Sequence, residues 1–71
     1  MVLKEIGNTI RERRKYLKIT QIDLSEITGM SRRSLQMLEK GDGNPTFEQL
    51  NRILSTLGLE INSKVRQVAD G

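Results

Sequence analysis

Two short helical patterns separated by one glycine lie between Thr20 and Gly41, in the sequence TQIDLSEITGMSRRSLQMLEKG. Thr20 is a good N-cap for the first pattern, and Gly29 is the kind of residue that commonly follows a last helical turn. Ser31 caps the second pattern in the same way, and its apolar positions again recur at helical spacing. The sequence therefore predicts two short helices joined by a tight turn.

Further helical patterns lie on both sides of this pair. Val2 to Leu17 predicts a long first helix before the pair. The second member of the pair, Arg32 to Lys40, is therefore the third helix in chain order. The segment 41–45 is a turn, after which Thr46 caps a fourth helix that ends at Gly58. The apolar positions expected to form the core are Leu3, Ile6, Ile10, Leu17, Leu24, Ile27, Leu35, Leu38, Phe47, Leu50, Ile53, Leu54 and Leu57. The predicted fold class is all-α, a bundle of four or five helices.

One charged residue lies on an apolar helix face. Arg14 is four residues after Ile10 and three before Leu17, so it shares their side of the first helix. A charge that leaves water needs an oppositely charged or hydrogen-bonding partner. The sequence therefore predicts that Arg14 has such a partner, which helical spacing alone does not identify.

The apolar pattern changes its period after Gly58, from about 3.6 residues to about 2. The side of the predicted amphipathic strand that would form a dimer interface consists of Leu59, Ile61, Ser63 and Val65. A lone strand leaves its backbone groups unpaired, and the simplest partner is the same strand of a second protomer. The alternative is a frayed, disordered tail. We expect a helical domain over 1–58 and a dimerisation strand and tail over 59–71.

Length and composition restrict the classes of function. The chain has 71 residues, no cysteine and no histidine, which allows one small domain without disulfides, thiolate metal sites or an imidazole base. Its carboxylates are scattered, and a helical domain of this size has little room for a substrate pocket. We therefore expect no enzymatic activity, no metal and no cofactor. So short a chain also has little core, which favours a homodimer.

The charge is distributed unevenly along the chain. Residues 1–40 carry nine basic and five acidic side chains, whereas residues 41–71 carry three basic and four acidic ones. Most of the positive charge is expected on the first helix and at the start of the third, which suits an anionic partner. No apolar run is long enough for a membrane span, and 1–18 is too charged for a signal peptide. The expected location is cytoplasmic, or nucleoid-associated on DNA.

The paired helices point to DNA as the anionic partner. In a helix-turn-helix the second helix lies in the major groove, where its N-terminal residues meet base edges. Here that helix begins with Arg32 and Arg33, although cations oppose the dipole at a helix N-terminus. Arginine is well suited to phosphate and guanine. The alternative is an ordinary solvated polar face.

These residues resemble the Xre/Cro-type helix-turn-helix domains of phage repressors and bacterial regulators, whose fold is lambda-repressor-like. The resemblance covers about residues 5–58 and is carried by Thr20-Gln21-x-x-Leu24-Ser25-x-x-x-Gly29-Met30-Ser31-x-x-x-Leu35-x-x-Leu38-Glu39-x-Gly41-x-x-x-Pro45. One departure is Ser25, where the family usually has alanine. A small hydroxyl can bond back to the preceding turn, so the departure does not disturb the match.

The resemblance implies roles for individual residues. The implied DNA-binding set is Gln21, Ser31, Arg32, Arg33, Ser34, Gln36, Met37, Lys40 and Asn44. Gln21 would bind a phosphate and brace the recognition helix. Ser34, Lys40 and Asn44 would reach the DNA backbone, and the others would face the bases, with Met37 at the edge. Arg14 and Glu39 occupy the positions of a structural ion pair, which would supply the missing partner for Arg14.

A narrower resemblance concerns the end of the chain. Residues 43–46 and 57–61 look like the HipB-like antitoxin branch, whose members are small dimers with paired C-terminal strands. That branch represses its own operon and binds a HipA-type serine/threonine kinase toxin. The resemblance therefore implies a toxin-antitoxin role with a palindromic operator DNA and a kinase as partners. The alternative is a stand-alone Xre-type transcriptional regulator without a toxin.

Overall fold

A computed structural model of the chain describes residues 3–59, which form four helices. They are α1 Leu3–Tyr16, α2 Gln21–Thr28, α3 Arg32–Glu39 and α4 Phe47–Thr56. The prediction of an all-α bundle is confirmed for this part of the chain, with helix ends within one or two residues of those expected. The predicted strand after Gly58, with Ile61, Ser63 and Val65, lies outside the described residues.

Each of the last three helices begins with a hydroxyl cap. Thr20 and Thr46 both form complete capping boxes. The Thr20 hydroxyl accepts from the Asp23 amide at 3.0 Å, and the Asp23 carboxylate accepts from the Thr20 amide at 3.3 Å. Ser31 caps α3 by accepting from the Ser34 amide at 3.1 Å. Each of these bonds joins two residues that are three positions apart in the chain. The helix starts could therefore be predicted from sequence.

The helices end at residues with left-handed backbone. Gly29, Gly41 and Gly58 have φ values of 79°, 87° and 75°, as expected of glycine after a last turn. The residue that follows Leu17 is different, because Lys18 has a φ of 60° and is not glycine. Its amide donates to the Lys15 carbonyl and the Ile19 amide donates to the Arg14 carbonyl, each at 3.0 Å. α1 therefore ends in a Schellman motif built on a lysine.

The core lies where the four helices meet. Its fully or largely buried apolar residues are Ile10, Leu24, Met30, Leu35, Leu38, Leu50, Ile53, Leu54 and Leu57. Leu3, Ile6, Ile19 and Leu59 pack against this cluster while remaining partly exposed. Leu59 thus contacts the core of its own protomer, and its amide closes α4 by donating to the Leu54 carbonyl at 2.7 Å.

Three residues expected in the core are exposed, and those expectations were wrong. Ile27 is 59% exposed because the eight-residue α2 buries the side that carries Leu24 and Thr28. Phe47 is 70% exposed because it is the first residue of α4. Leu17 is 38% exposed because α1 ends at Tyr16 and the chain turns away. The apolar spacing thus predicted the helices correctly, but it did not predict which of these three side chains the neighbouring helices cover.

α1 and α3 cross in close contact at Gly7. A Cβ atom at this position would overlap the backbone carbonyl of Leu38. The glycine thus permits the two backbones to approach, which brings Arg14 of α1 to Glu39 of α3. None of the four helices between residues 3 and 59 has the combination of length and apolar character that crossing a membrane requires.

Candidate nucleic-acid interface

The turn between α2 and α3 is held by short-range contacts from both sides. Gly29 supplies the left-handed backbone, and its amide donates to the Ser25 carbonyl at 2.9 Å. The Ser25 hydroxyl donates to the carbonyl of Met30, whose side chain is buried in the core. Thr28 donates from its hydroxyl to the Leu24 carbonyl at 2.7 Å. The angle between the two helices is therefore set by a packed turn, and Ser25 contributes a bond that alanine could not.

α3 has one buried and one exposed side. Leu35, Leu38 and Glu39 are buried. The exposed residues on and around α3 are Ser31, Arg32, Arg33, Ser34, Gln36, Met37 and Lys40. Seven of the nine side chains that the resemblance assigns to DNA thus lie on or beside the outer side of one helix. The Ser31 hydroxyl is engaged as the N-cap and also donates to the Ser34 hydroxyl at 2.9 Å.

A chain of hydrogen bonds connects the start of α2 to the middle of α3. Gln36 donates from Nε2 to Oε1 of Gln21 at 3.4 Å, and Gln21 donates from Nε2 to Oε1 of Glu39 at 3.1 Å. Gln21 is therefore in contact with α3. Its other surroundings are basic, because it borders a depression that Lys4, Arg11 and Lys40 also line.

Glu39 anchors α3 to α1 through a buried ion pair. Arg14 donates from Nε to one Glu39 carboxylate oxygen at 2.7 Å and from Nη2 to the other at 3.0 Å. The side chains of Arg14 and Glu39 are only 12% and 4% exposed. A third donor of the guanidinium, Nη1, bonds the Ile19 carbonyl at 2.9 Å, just before α2 begins. One bidentate pair thus ties α3 to α1 and to the entry of α2.

The remaining predicted residues fall on the other side of α3. Ser34, Met37 and Asn44 line one depression of about 260 Å³, which Asp42 and Gln49 also line. Asn44 belongs to the turn after α3 and is exposed. The structure thus groups the candidates on two sides of α3, with Gln21, Gln36 and Lys40 on one side and Ser34, Met37 and Asn44 on the other.

Arg32 lies beside basic residues that the family resemblance did not assign to DNA binding. It lines a groove together with Arg11, Lys15 and Lys18 at the corner between α1 and α2. The concentration of charge in the first half of the chain was a signal for these residues, but their convergence depends on how α1 packs. Among the described residues, no group of three or more histidine, cysteine, aspartate or glutamate side chains could hold a metal ion.

The sequence of this chain is similar to a known protein family and to several known proteins. The helix-turn-helix family pattern matches residues 10–63. An uncharacterised HTH-type transcriptional regulator of Methanothermobacter thermautotrophicus is 43% identical over 51 residues, which cover 72% of this chain and 74% of that protein. An immunity repressor protein of Bacillus phage phi105 is 32% identical over 60 residues, covering 84% of this chain and 42% of the repressor.

A second protein of that phage is also similar. The ImmF control region 10 kDa protein of Bacillus phage phi105 is 32% identical over 59 residues, which cover 83% of this chain and 66% of that protein. The chain therefore spans less than half of the immunity repressor and about two thirds of the control-region protein.

Proposed function

We propose that this protein, which belongs to the helix-turn-helix family of transcriptional regulators, binds a specific operator DNA through α3 and represses transcription there. The observation that carries the proposal is the division of α3 into a polar, basic outer side and an inner side locked by the Arg14–Glu39 pair. A helix used to read bases must be held rigidly, because hydrogen bonds to base edges depend on accurate placement.

The proposed contacts divide into base readers and backbone contacts. Arg32, Arg33 and Gln36 are the base readers, because arginine matches guanine O6 and N7, and glutamine matches adenine. Ser31 and Met37 complete the side of α3 that faces the bases. The backbone contacts are Gln21, Ser34, Lys40 and Asn44, which lie on the two sides of α3 where the phosphate strands of a groove would run.

The protein acts, in this proposal, as a homodimer on a palindromic operator. One module this small makes too few contacts for specific affinity, so two recognition helices enter successive major grooves about 34 Å apart. Ile61, Ser63 and Val65, with Leu59 before them, are the proposed interface, as an antiparallel pair of strands. The mechanism is steric, since the bound dimer occupies the DNA that transcription requires.

The base-reading role is tested with Arg32→Ala and Arg33→Ala on an operator obtained by binding-site selection. Each substitution is expected to weaken operator binding by roughly 1–3 kcal/mol and to relax the preference at one base position. The measurement is a titration at fixed salt with matched and mismatched duplexes.

Arg52→Ala is the matched control for these two variants. Arg52 is an exposed arginine of α4 that donates to the Thr28 carbonyl and does not line any of the three depressions described above. Its loss should leave base preference unchanged. Operator binding by Arg32→Ala and Arg33→Ala that equals the parent's would show that α3 does not read the bases.

The finer proposal is that the repressor is the antitoxin of a toxin-antitoxin module and binds a HipA-type kinase. It is supported by the likeness of residues 43–46 and 57–61 to the HipB-like branch. The alternative is a stand-alone Xre-type regulator. The deciding observation is the adjacent gene: a kinase reading frame whose product co-purifies with this protein supports the antitoxin, and a neighbourhood without one favours the stand-alone regulator.

A further inference from the structure

A strongly basic groove lies at the corner where α1 ends and α2 begins. Five cationic side chains line it: Arg11, Arg14 and Lys15 from α1, Lys18 from the connection and Arg32 from the start of α3. No acidic residue is among the described residues that line the groove. The only ion pair formed within residues 3–59 is that of Arg14 with Glu39, so the other four cations have no carboxylate partner there. We call this feature the corner groove.

Lys18 occupies its place in the corner groove at a conformational cost. Its φ of 60° is in the left-handed region, where a Cβ atom is disfavoured and glycine is not. The helices α2, α3 and α4 all have glycine at the corresponding position. A glycine would therefore satisfy the Schellman motif better than the lysine does. A strained residue of this kind is a reason to look for a role of its side chain.

The corner groove is continuous with the proposed base-reading helix. Arg32 is the first residue of α3 and lines the groove, so it belongs to both surfaces. Several cations arranged along one groove match a run of phosphates better than a single small anion, because a DNA strand carries one charge about every 3.4 Å. The sign of the charge and its position beside α3 agree in pointing to the DNA backbone.

We propose that the corner groove binds the phosphate backbone of DNA beside the bases contacted by α3, and that Lys18 is a phosphate contact whose side chain requires the strained backbone. The inference rests on the proposed function and adds Arg11, Lys15 and Lys18 to the interface. It also predicts opposite effects of Lys18→Gly: the stability of the fold should rise, and the affinity for DNA should fall. A residue with a merely structural role would change both in the same direction.

The test measures thermal stability and DNA affinity for Lys18→Gly, with a mixed-sequence DNA duplex as the probe because phosphate contacts are independent of sequence. Tm is expected to rise by a few degrees, because the left-handed strain is relieved. Affinity is expected to fall several-fold, and the slope of log K against log salt is expected to become shallower by about 0.9, the value for one lost phosphate contact.

Three further variants separate the effect of side-chain charge from that of backbone strain. Lys18→Arg keeps both the charge and the strain, so its affinity and salt slope should match the parent's. Arg52→Gln removes the same charge from α4, outside the groove, and should leave the salt slope unchanged. The double variant Arg11→Gln with Lys15→Gln should lose about two contacts, which makes the slope shallower by about 1.8.

The outcomes distinguish this inference from the proposed function. If the parent protein does not bind DNA, the proposed function fails. If the parent binds and Lys18→Gly binds with the same affinity and salt slope, the corner groove is not a backbone site although the proposed function stands. If inorganic phosphate raises the parent's Tm saturably but not that of Lys18→Gly, while the DNA affinity and salt slope of Lys18→Gly equal the parent's, the groove binds a free anion and the DNA assignment is overturned.

Discussion

Glu39 is the residue on which the positions of three helices depend. It belongs to α3, accepts two bonds from Arg14 of α1 and one from Gln21 of α2, and is 8% exposed as a whole residue. Taking a carboxylate out of water costs several kcal/mol, which the guanidinium and the amide offset only because all three bonds are formed. The buried ion pair therefore contributes more to fixing the orientation of α3 than to the net stability of the fold.

This balance predicts unequal effects of single and double substitutions. Glu39→Met leaves the Arg14 guanidinium buried without its carboxylate and is expected to destabilise the fold by about 3–5 kcal/mol. Adding Arg14→Met removes the unpaired charge and should recover much of that loss. Urea denaturation followed by circular dichroism measures both. A double variant as unstable as the sum of the two single variants would mean that the pair contributes no coupling.

At the scale of the elements, the helices are short and their arrangement depends on close contacts. α2 and α3 have eight residues each, too few for an isolated helix to be stable in water. They persist because their inner sides pack on α1 and α4, and because α1 approaches α3 closely at Gly7. Arg13 adds a contact between distant elements by donating from Nε to the Leu57 carbonyl at the end of α4, at 2.9 Å.

The close crossing predicts that Gly7→Ala is destabilising. On an exposed helix face alanine would stabilise by about 1 kcal/mol relative to glycine. Here its Cβ overlaps the Leu38 carbonyl, a backbone atom that cannot move unless the helices separate, so we expect a loss of about 1–3 kcal/mol. Thr9→Ala, at an exposed position of the same helix, is the control and should be neutral or slightly stabilising in thermal melts. A rise in stability for Gly7→Ala would contradict the tight crossing.

At the scale of the whole molecule, a small core and a one-sided charge distribution limit what one protomer can do. Nine apolar residues are buried within residues 3–59, and a domain of this size is only marginally stable. The basic residues of α1 and α3 converge on the side of the proposed DNA contacts. A second copy would double the number of phosphate and base contacts available for binding.

The proposed dimer predicts that removing residues 60–71 shifts the protein toward monomer in analytical sedimentation and weakens operator binding. Because Leu59 and the helices remain, the shortened chain should keep its helical circular dichroism. Ile61→Asp in the full chain should act like the deletion, whereas Asn62→Asp, on the other side of the predicted strand, should not. A shortened chain that stays dimeric would exclude the paired strands.

The helices and their ends follow from the sequence alone, because capping bonds and apolar spacing act within one or two turns. The sequence also identified Arg14 as a charge on a buried face, although only the family resemblance named Glu39, 25 positions away, as its partner. The tertiary structure decided which side of each short helix is covered, and so left Ile27 and Phe47 exposed. It also decided that Arg11, Lys15, Lys18 and Arg32 share one groove. The physical reason is that such convergence depends on how distant helices cross, and at Gly7 that crossing depends on the absence of a single Cβ atom.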